Sequence, residues 1–372
     1  MKTLAALWPV VQPRLRVFDP LLGSALAVLA GLSLLTMSSA AHDFDGRLAM
    51  HLRNLLIALG VMWAAAQLPP GLMMRAALPL YVGGIVLLLA VALFGDISKG
   101  ARRWLDLGIT RIQPSELLKI AVPLMLAWYF QRREGARRWF DFTIAAALLG
   151  LPVVLIARQP DLGTALLVLG SGAFVIFLAG LPWRVIAAGA ALTAAAAPLL
   201  WASMHDYQRQ RVLTLIDPSA DPLGKGFHII QSTIAVGSGG PWGKGFMQGT
   251  QTHLEFIPER TTDFIFAVFS EEFGLLGNLV LLAVYLVLIG RGLSIAARAG
   301  SDFTRLLAGA LTLMIFTYAF VNMGMVSGIL PVVGVPLPFM SYGGTAMVTL
   351  GLGVGLLMSI ARHTRPAAGT AR

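Results

Sequence analysis

Long apolar runs alternate with short polar segments along almost the whole chain. A helix that crosses the hydrocarbon core of a bilayer needs about 20 mainly apolar residues, and ten windows approach this length. We predict spans at residues 20–39, 50–68, 76–95, 116–131, 142–157, 162–180, 184–203, 264–290, 304–329 and 343–361. The pattern therefore predicts an all-α polytopic membrane protein, with about ten transmembrane helices in a single integral-membrane domain of residues 1–372.

Composition supports a membrane protein and narrows its chemistry. Hydrophobic residues make up 57% of the chain and charged residues only 12%, which is too little charge for a water-soluble domain of this size. The chain has no cysteine, so thiolate chemistry and cysteine-based metal sites are excluded. The net charge of +10 does not indicate a nucleic-acid partner, because Lys and Arg in a membrane protein set topology and contact lipid headgroups.

The distribution of Lys and Arg predicts the orientation. These residues concentrate on the side of the N-terminus once the long 204–263 loop is discounted, because long loops cross a membrane irrespective of charge. We therefore predict that both termini are cytoplasmic and that the 204–263 loop is extracytoplasmic. The basic lead before the first span resembles a secretory signal. The apolar run Leu21–Met37 is longer than the usual signal core, so we predict an uncleaved span.

Asp263 lies where the long loop meets the start of an apolar span. An ionisable group at a membrane boundary is a candidate for function. The alternative is that Thr261, Thr262 or Asp263 caps the helix that follows. Position alone leaves both interpretations open.

Four basic residues lie in the extracytoplasmic segment Lys99–Arg111. Basic residues at this position oppose the positive-inside tendency, and an anionic ligand would explain them. Arg102 and Arg103 are adjacent and suit a phosphate or pyrophosphate. The alternative is a loop whose arginines contact lipid headgroups, with Trp104 as an anchor at the membrane interface.

Three further groups of charged residues lie at or inside predicted spans. Glu116 and Lys119 share one helix face, and they either form a structural ion pair or line a polar substrate path. Asp161 either caps the next helix or pairs with Arg158 or another cation. The adjacent acids at positions 271 and 272 need a cavity, a cation or a basic partner within the membrane, for which Lys119 or an extracytoplasmic arginine is a candidate.

The 204–263 loop contains two recognisable segments. Phe227, Ile230 and Ile234 recur at helical spacing and predict a short amphipathic helix on the outer leaflet. The glycine-rich segment 237–245 lacks the spacing of a nucleotide-binding loop, and we interpret it as a flexible loop. Metal-protease spacing and a serine-hydrolase elbow are both missing from the sequence, which leaves carboxylate chemistry.

Six stretches, taken together and in order, resemble the SEDS family (shape, elongation, division and sporulation). They are Lys99–Leu105, Gln113–Glu116 with Lys119, Gln159–Thr164, Asp206–Arg211, Pro258–Ala267 and Pro338–Gly344. The likeness covers about residues 18–362. The amino-acid sequences of the segments Asp206–Arg211 and Asp221–Gly239 resemble the elongation branch of the family rather than its division branch.

The resemblance implies a peptidoglycan glycosyltransferase that polymerises lipid II at the outer face of the bacterial inner membrane, for cell elongation and rod shape. It implies a class B penicillin-binding protein as the partner that supplies transpeptidation, with membrane lipids as the surroundings. The acid that the family requires falls on Asp263, and its functional tryptophan falls on Trp104. We expect no organic cofactor.

The implied reaction joins a sugar 4-hydroxyl to the anomeric carbon of a second lipid-linked sugar. An α-linked donor and a β1,4 product require inversion, hence a single displacement with a base at the hydroxyl and positive charge at the departing pyrophosphate. Asp263 is the candidate base. The candidate cations for the pyrophosphate are Arg102, Arg103, Arg111, Arg209, Arg211 and Arg260.

A divalent cation, Mg²⁺ or Mn²⁺, is a further candidate for the pyrophosphate. Asp263 would then bind metal instead of, or besides, accepting a proton. The residues expected to support the cavity are Glu116, Lys119, Asp161 and Ser341.

Two rival functions remain open. Ten spans with buried charges also fit a transporter that flips lipid II, although an extracytoplasmic acid beside a long loop favours the enzyme. The other rival is a non-catalytic scaffold of the elongation complex, for which Asp263→Ala would leave polymer synthesis undiminished.

Overall fold

The computed structural model describes residues 18–98, 101–106, 111–133, 138–159, 161–220, 225–254, 256–257 and 259–364. Helices dominate these residues. The helices are α1 Pro20–Ala40, α2 Arg47–Ala65, α3 Pro70–Phe94, α4 Pro114–Gln131, α5 Trp139–Ala157, α6 Leu162–Leu178, α7 Trp183–Ala195, α8 Ala197–Ser203, α9 Asp206–Ile216, α10 Lys225–Ser238, α11 Thr250–His253, α12 Ile265–Ala297, α13 Asp302–Val326 and α14 Gly344–Thr364. A 3₁₀ turn, Pro218–Ala220, precedes α10, and three short strands lie between α3 and α4.

Each predicted span coincides with a helix, which confirms the all-α polytopic fold. Within the described ranges, seven helices (α1, α2, α3, α5, α12, α13 and α14) are long and apolar enough to cross a membrane, and an eighth span results if α7 and α8, bent by 56°, are counted as one. The two remaining spans correspond to α4 and to the 17-residue apolar helix α6.

The core is formed by the helices with the largest buried share. In α13 and α14, 67% and 72% of the apolar window is buried, whereas the value for α5 is 28%, so α13 and α14 are interior and α5 faces the lipid. α14 packs along α2 through glycines. A Cβ on Gly351 would lie 2.6 Å from the Ala58 carbonyl oxygen, and one on Gly355 would lie 2.3 Å from that of Met62. Small residues allow this close approach.

The connections between helices form two ends. The described residues of the connections 41–46, 95–113, 158–161, 204–264 and 327–343 lie at the end that we call the Asp263 face. The described residues of 66–69, 132–138, 179–182 and 298–301 lie at the opposite face. Side chains from several connections meet at the Asp263 face, as described below.

The basic segment before α4 forms a small antiparallel sheet that the sequence did not predict. The strands are β1 Asp96–Ser98, β2 Ala101–Asp106 and β3 Arg111–Ile112. Trp104 pairs with Asp96 on one side of β2, and Leu105 pairs with Ile112 on the other. Arg102, Arg103 and Trp104 therefore lie on the central strand.

A break in α12 holds the glycine-rich segment. Gly274 has φ +63° and ψ −160°, which interrupts the helical hydrogen bonds. Backbone hydrogen bonds of 2.8 to 3.1 Å then join the segment to both sides of the break. The amides of Lys244 and Gly245 donate to the carbonyl oxygens of Glu271 and Glu272, and the amides of Leu275 and Leu276 donate to those of Gly240 and Pro241. The interpretation of 237–245 as a flexible loop is therefore wrong, because residues 240–245 are bonded to α12.

The predicted amphipathic helix is present as α10. Ile229, Ser232 and Ala235 are buried, and α10 packs against α12. Ile234, from the predicted apolar face, is 44% exposed. Phe227 and Ile230 of that face are half-buried, so the predicted face is partly exposed, and its exposed part suits contact with a membrane leaflet.

Candidate active site

Asp263 lies in a turn, residues 259–264, immediately before α12. Glu259 opens the turn with φ +51°, a left-handed conformation that is costly for a residue other than glycine. The amides of Thr262 and Phe264 both donate to the Glu259 carbonyl oxygen, over 3.0 and 3.3 Å. Asp263 is therefore held in a strained and internally bonded turn.

Asn322 fixes this turn to the core. Its side chain is fully buried in α13. The Nδ2 group donates to the carbonyl oxygens of Asp263 (2.8 Å) and Val335 (2.7 Å). One amide thus joins the turn to the connection 327–343.

The Asp263 carboxylate lies against the same connection. Gly334 has φ +74°, and a Cβ at this position would be 3.4 Å from Asp263 Oδ2. Asp263 itself is half-buried. The carboxylate is therefore placed between protein on one side and an open face on the other, as a group that meets a substrate requires.

Arg47 contacts the turn from the start of α2. It donates to Thr261 Oγ1 over 2.7 Å, and its guanidinium lies over the rings of Phe44 (4.4 Å) and Tyr342 (5.1 Å). The Tyr342 amide donates to the Thr261 carbonyl oxygen over 2.8 Å. Arg47 therefore places a positive charge two residues from Asp263.

Arg260 is committed to the connection between α1 and α2. It is only 5% exposed, it donates from Nε to the Ala40 carbonyl oxygen over 2.9 Å, and it forms an ion pair with Asp43. Its guanidinium also lies over the ring of Phe44. These contacts give Arg260 a role in positioning the turn, and its role in binding pyrophosphate stays a prediction.

Asp161 connects a second cluster to the site. It caps α6 by accepting from the Thr164 amide (3.3 Å), it accepts from Gln113 Nε2 (3.0 Å), and its Oδ1 lies 3.9 Å from an Arg103 amino group. Both alternatives for Asp161, a cap and an ion pair, are therefore realised, with Arg103 rather than Arg158 as the cation.

The connection 327–343 lies between the Asp161–Arg103 cluster and the turn that carries Asp263. A Cβ on Gly163, two residues after Asp161, would be 2.7 Å from the Val333 carbonyl oxygen. Gly334, the next residue, lies against the Asp263 carboxylate. Val333 and Gly334 therefore separate the Asp161–Arg103 cluster from Asp263 by the width of one chain segment.

Glu116 and Lys119 form the predicted ion pair on α4. Lys119 Nζ lies 2.6 Å from Glu116 Oε1 and 2.5 Å from the hydroxyl oxygen of Tyr318, which is on α13. Lys119 is only 2% exposed. Glu116 Oε2 is buried without a hydrogen-bond partner among the described residues. The pair is therefore in the bundle interior, where an isolated charge would be costly.

Trp104 and Arg103 are half-buried on β2. Of the remaining predicted cations, Arg102, Arg111 and Arg211 have side chains outside the described residues. Arg209 donates to the carbonyl oxygens of Trp201 (2.9 Å) and Ala202 (2.6 Å) at the end of α8. The structure thus brings Arg103 to the site, whereas it engages Arg209 with a helix end.

Ser341 supports the connection that carries Gly334. It is 3% exposed, and its Oγ accepts from the Leu337 amide over 2.8 Å. Phe339, within this turn, has φ +60°. Ser341 therefore closes a strained turn, and its role in supporting a substrate cavity stays a prediction.

The two acids of α12 have partners that the sequence did not indicate. Glu271 is fully buried, and its Oε1 accepts from Lys244 Nζ (2.7 Å) and from the Gln251 amide (2.9 Å). Glu272 accepts from Ser39 Oγ. The suggestion that Lys119 pairs with these acids is wrong, because Lys119 pairs with Glu116 on another helix.

His228 of α10 lies next to the turn. Its ring stacks on that of Phe264, with centroids 5.7 Å apart and planes 18° apart. Burial lowers the pKa of His228, while the nearby Glu259 carboxylate opposes that shift. The histidine is therefore held neutral more strongly than an exposed one.

The predicted protein ligand for a divalent cation is Asp263. Among the described residues, no three His, Asp or Glu side chains form a group that could hold a metal ion. Oxygens of Asp263 and of a bound pyrophosphate would have to coordinate the ion together. The divalent cation stays a prediction.

Sequence reasoning missed three residues of the site. These are Arg47, Asn322 and Gly334, to which the sequence analysis gave no role. The signal for Asn322 was available, because a lone amide in an apolar helix needs partners.

A family profile described as cell cycle protein, FtsW/RodA/SpoVE, matches residues 17–366. The chain is 54% identical over 348 residues to the peptidoglycan glycosyltransferase MrdB of Escherichia coli K12, which covers 93% of this chain and 94% of that protein. It is 38% identical over 295 residues to the probable peptidoglycan glycosyltransferase FtsW of Geobacter metallireducens, which covers 78% of each.

Solved structures show the same architecture. One chain from a study of how a peptidoglycan synthase complex coordinates polymerization and crosslinking has a TM-score of 0.81 and 35% identity, and covers 93% of this chain and 98% of that one. The rod shape determining protein RodA of Thermus thermophilus has a TM-score of 0.71 and 28% identity, and covers 94% and 98%.

Proposed function

The chain belongs to the FtsW/RodA/SpoVE family and is a peptidoglycan glycosyltransferase, and from this premise we propose that it polymerises lipid II with Asp263 as the reacting carboxylate. The observation that carries the proposal is the placement of Asp263. Its main chain is bonded to Asn322 and its carboxylate lies against Gly334, so the position of the acid is fixed before substrate arrives.

The chemical step is one displacement. Asp263 accepts the proton of the acceptor 4-hydroxyl while that oxygen forms a bond to the anomeric carbon of the donor. The bond from this carbon to the pyrophosphate oxygen breaks, and undecaprenyl pyrophosphate departs with the electron pair. A base that is positioned at the nucleophile typically contributes about 10²–10⁴-fold.

Positive charge near Asp263 suits the departing pyrophosphate. Arg103, beside Asp161, is the predicted cation that the structure brings to the site, and Arg47, held by Thr261 and Tyr342, is a second. Arginine forms two-pronged contacts with phosphate groups. We assign these two residues to the pyrophosphate. A divalent cation between Asp263 and the pyrophosphate would add Lewis acidity.

The orientation completes the proposal. The Asp263 face is extracytoplasmic at the bacterial inner membrane, and both termini are cytoplasmic, in agreement with the positive-inside distribution. The partner is a class B penicillin-binding protein, which crosslinks the strands made here for cell elongation. A related chain comes from a complex that polymerises and crosslinks, which supports this pairing.

The deciding experiment follows polymer formation from lipid II by the purified protein with its penicillin-binding partner. Asp263→Asn keeps the shape of the side chain and removes the base, so we expect polymer yield to fall by about 100-fold or more. Asp45→Asn is the matched control, because Asp45 is an exposed carboxylate on the same face.

Each outcome has a distinct meaning. Loss of polymer in Asp263→Asn, with complex assembly intact, supports a catalytic carboxylate. Equal polymer from both variants removes Asp263 from the chemistry and favours the scaffold. If Asp263→Asn retains polymerisation but abolishes movement of lipid II across vesicle membranes, the transporter is favoured.

A further inference from the structure

The face opposite the Asp263 face contains an apolar cavity that the glycosyl transfer does not use. It has a volume of about 740 Å³ and lies between α5, α6 and the start of α7. Small residues create the space, because Ala146 of α5 and Ala173 of α6 line it together with Gly180. Phe142 and Ile176 also line it, so the cavity suits a hydrocarbon chain.

The rim of the cavity is basic and aromatic. Arg138 directly precedes the lining residue Trp139, and Arg184 lies between the lining residues Pro182 and Val185. Both arginines are exposed. The two tryptophans beside them, Trp139 and Trp183, are 78% and 71% exposed, which is typical of side chains at the level of lipid headgroups.

Among the described residues, Asp141 is an acid beside this rim, and it already has a cation. Asp141, in the first turn of α5, is buried, accepts from the Tyr129 hydroxyl over 3.0 Å and lies 3.5 Å from Arg133 Nε. Asp141 also accepts from the Arg138 main-chain amide over 2.8 Å and offsets the Arg138 charge in part. Its ion pair is with Arg133 rather than with Arg138 or Arg184.

We propose that this cavity binds one anionic phospholipid of the cytoplasmic leaflet. An acyl chain occupies the apolar cavity, and the phosphate lies between Arg138 and Arg184. Basic pockets between transmembrane helices on the cytoplasmic side recognise such headgroups. The proposal rests on the orientation given above, but not on the glycosyl transfer.

Charge argues against two other occupants. A single-pass helix of a partner with its N-terminus inside carries its own Lys and Arg at this level, and these would repel Arg138 and Arg184. The polyprenyl substrate has its pyrophosphate at the opposite face, beside Asp263, so its tail would leave the two arginines without an anion.

The test is native mass spectrometry of the full chain released from nanodiscs that contain equal amounts of phosphatidylglycerol and phosphatidylethanolamine. We expect the wild type to retain one phosphatidylglycerol, and the double variant R138Q/R184Q to retain it about tenfold less. The charge-matched control is R75Q/R298Q, which removes two exposed arginines of the same face and should bind like wild type. Ala173→Phe, which fills the cavity and keeps the arginines, should also lose the lipid.

Three results would overturn the proposal. Equal retention of phosphatidylglycerol by R138Q/R184Q and its control would show that lipid binds nonspecifically around the helices. Displacement of phosphatidylglycerol by undecaprenyl phosphate at equal concentration would assign the cavity to the substrate lipid. A third result concerns the variant Ala173→Cys. If the penicillin-binding partner protects its thiol from an alkylating reagent and phosphatidylglycerol does not, the cavity binds a helix of the partner. The measurement is the mass of the protein with its bound lipid and needs no enzymatic activity, so a failure of the proposed glycosyl transfer would not change the result.

Discussion

The side-chain amide of Asn322 donates to the main-chain carbonyl of Asp263, over 2.8 Å, and the same nitrogen donates to Val335. A buried residue of α13 thus sets the position of a carboxylate on the surface of the bundle. The acid is thus positioned through its main chain by a residue of the core.

We predict that Asn322→Leu lowers the polymerisation rate by about 10- to 100-fold, since a shift of about 1 Å at a reacting group can cost this much. Two buried carbonyl oxygens would also lose their donor, which costs about 1–3 kcal/mol for each. Rate and thermal stability should be measured together. Thr312→Val is the control, as it removes another buried polar group from α13. Stability loss without any change in rate would contradict the positioning role.

A second prediction concerns Arg47. Arg47→Lys keeps the charge but loses the planar contact with Phe44 and Tyr342 and the bond to Thr261, so we expect a loss of about tenfold in polymerisation. Arg53→Gln, an exposed arginine further along α2, is the control and should retain full activity. An active Arg47→Gln would rule out both a positioning and an electrostatic role.

A third prediction concerns the break in α12. A Cβ on Gly274 would meet the Gly243 backbone nitrogen at 2.3 Å, and φ is +63°, so Gly274→Ala should destabilise the fold by more than about 1 kcal/mol. Gly290, on the same helix, has nothing within 4 Å of its Cβ position, and Gly290→Ala should be neutral or stabilising. Unfolding temperatures in one detergent decide the comparison.

A fourth prediction is a dependence on pH. Burial lowers the pKa of His228 below its ordinary value, so the unfolded chain, with a pKa near about 6.5, takes up a proton before the folded protein does. Stability from the neutral ring is full above that pH and decreases as the pH falls toward the lowered pKa. His228→Gln should therefore show a smaller loss of stability between neutral and acidic pH than wild type. His205→Gln, in an exposed position, should follow wild type, and identical curves for all three proteins would exclude His228 as the source.

The sequence predicted the spans well because each apolar run is long and is bounded by charged or turn residues. It also predicted the Glu116–Lys119 ion pair and the Asp161 helix cap, because both are contacts between residues three apart. The catalytic role of Asp263 stays a prediction. The sequence did not predict that Lys244 pairs with Glu271 or that Arg260 pairs with Asp43. Such partners are distant along the chain, and only tertiary packing brings them together.

The β1–β3 sheet was missed for a different reason. Its strands have three, six and two residues, which is too short for the alternation that predicts a half-buried strand. The glycine-rich segment was also misinterpreted, because glycine marks both flexible loops and places where two backbones approach closely. The break at Gly274 supplies the second backbone here.

The position of Val333 and Gly334 limits where this face can accept an inserted residue. Consecutive Cα atoms are about 3.8 Å apart, and this one interval acts as a spacer between the start of α6 and the turn of Asp263. Residues inserted after 335 would disturb the turn that the Leu337–Ser341 bond closes, two residues beyond the Asn322 contact to Val335. A single residue inserted between 333 and 334 would instead widen the gap between the Asp161–Arg103 cluster and Asp263 itself.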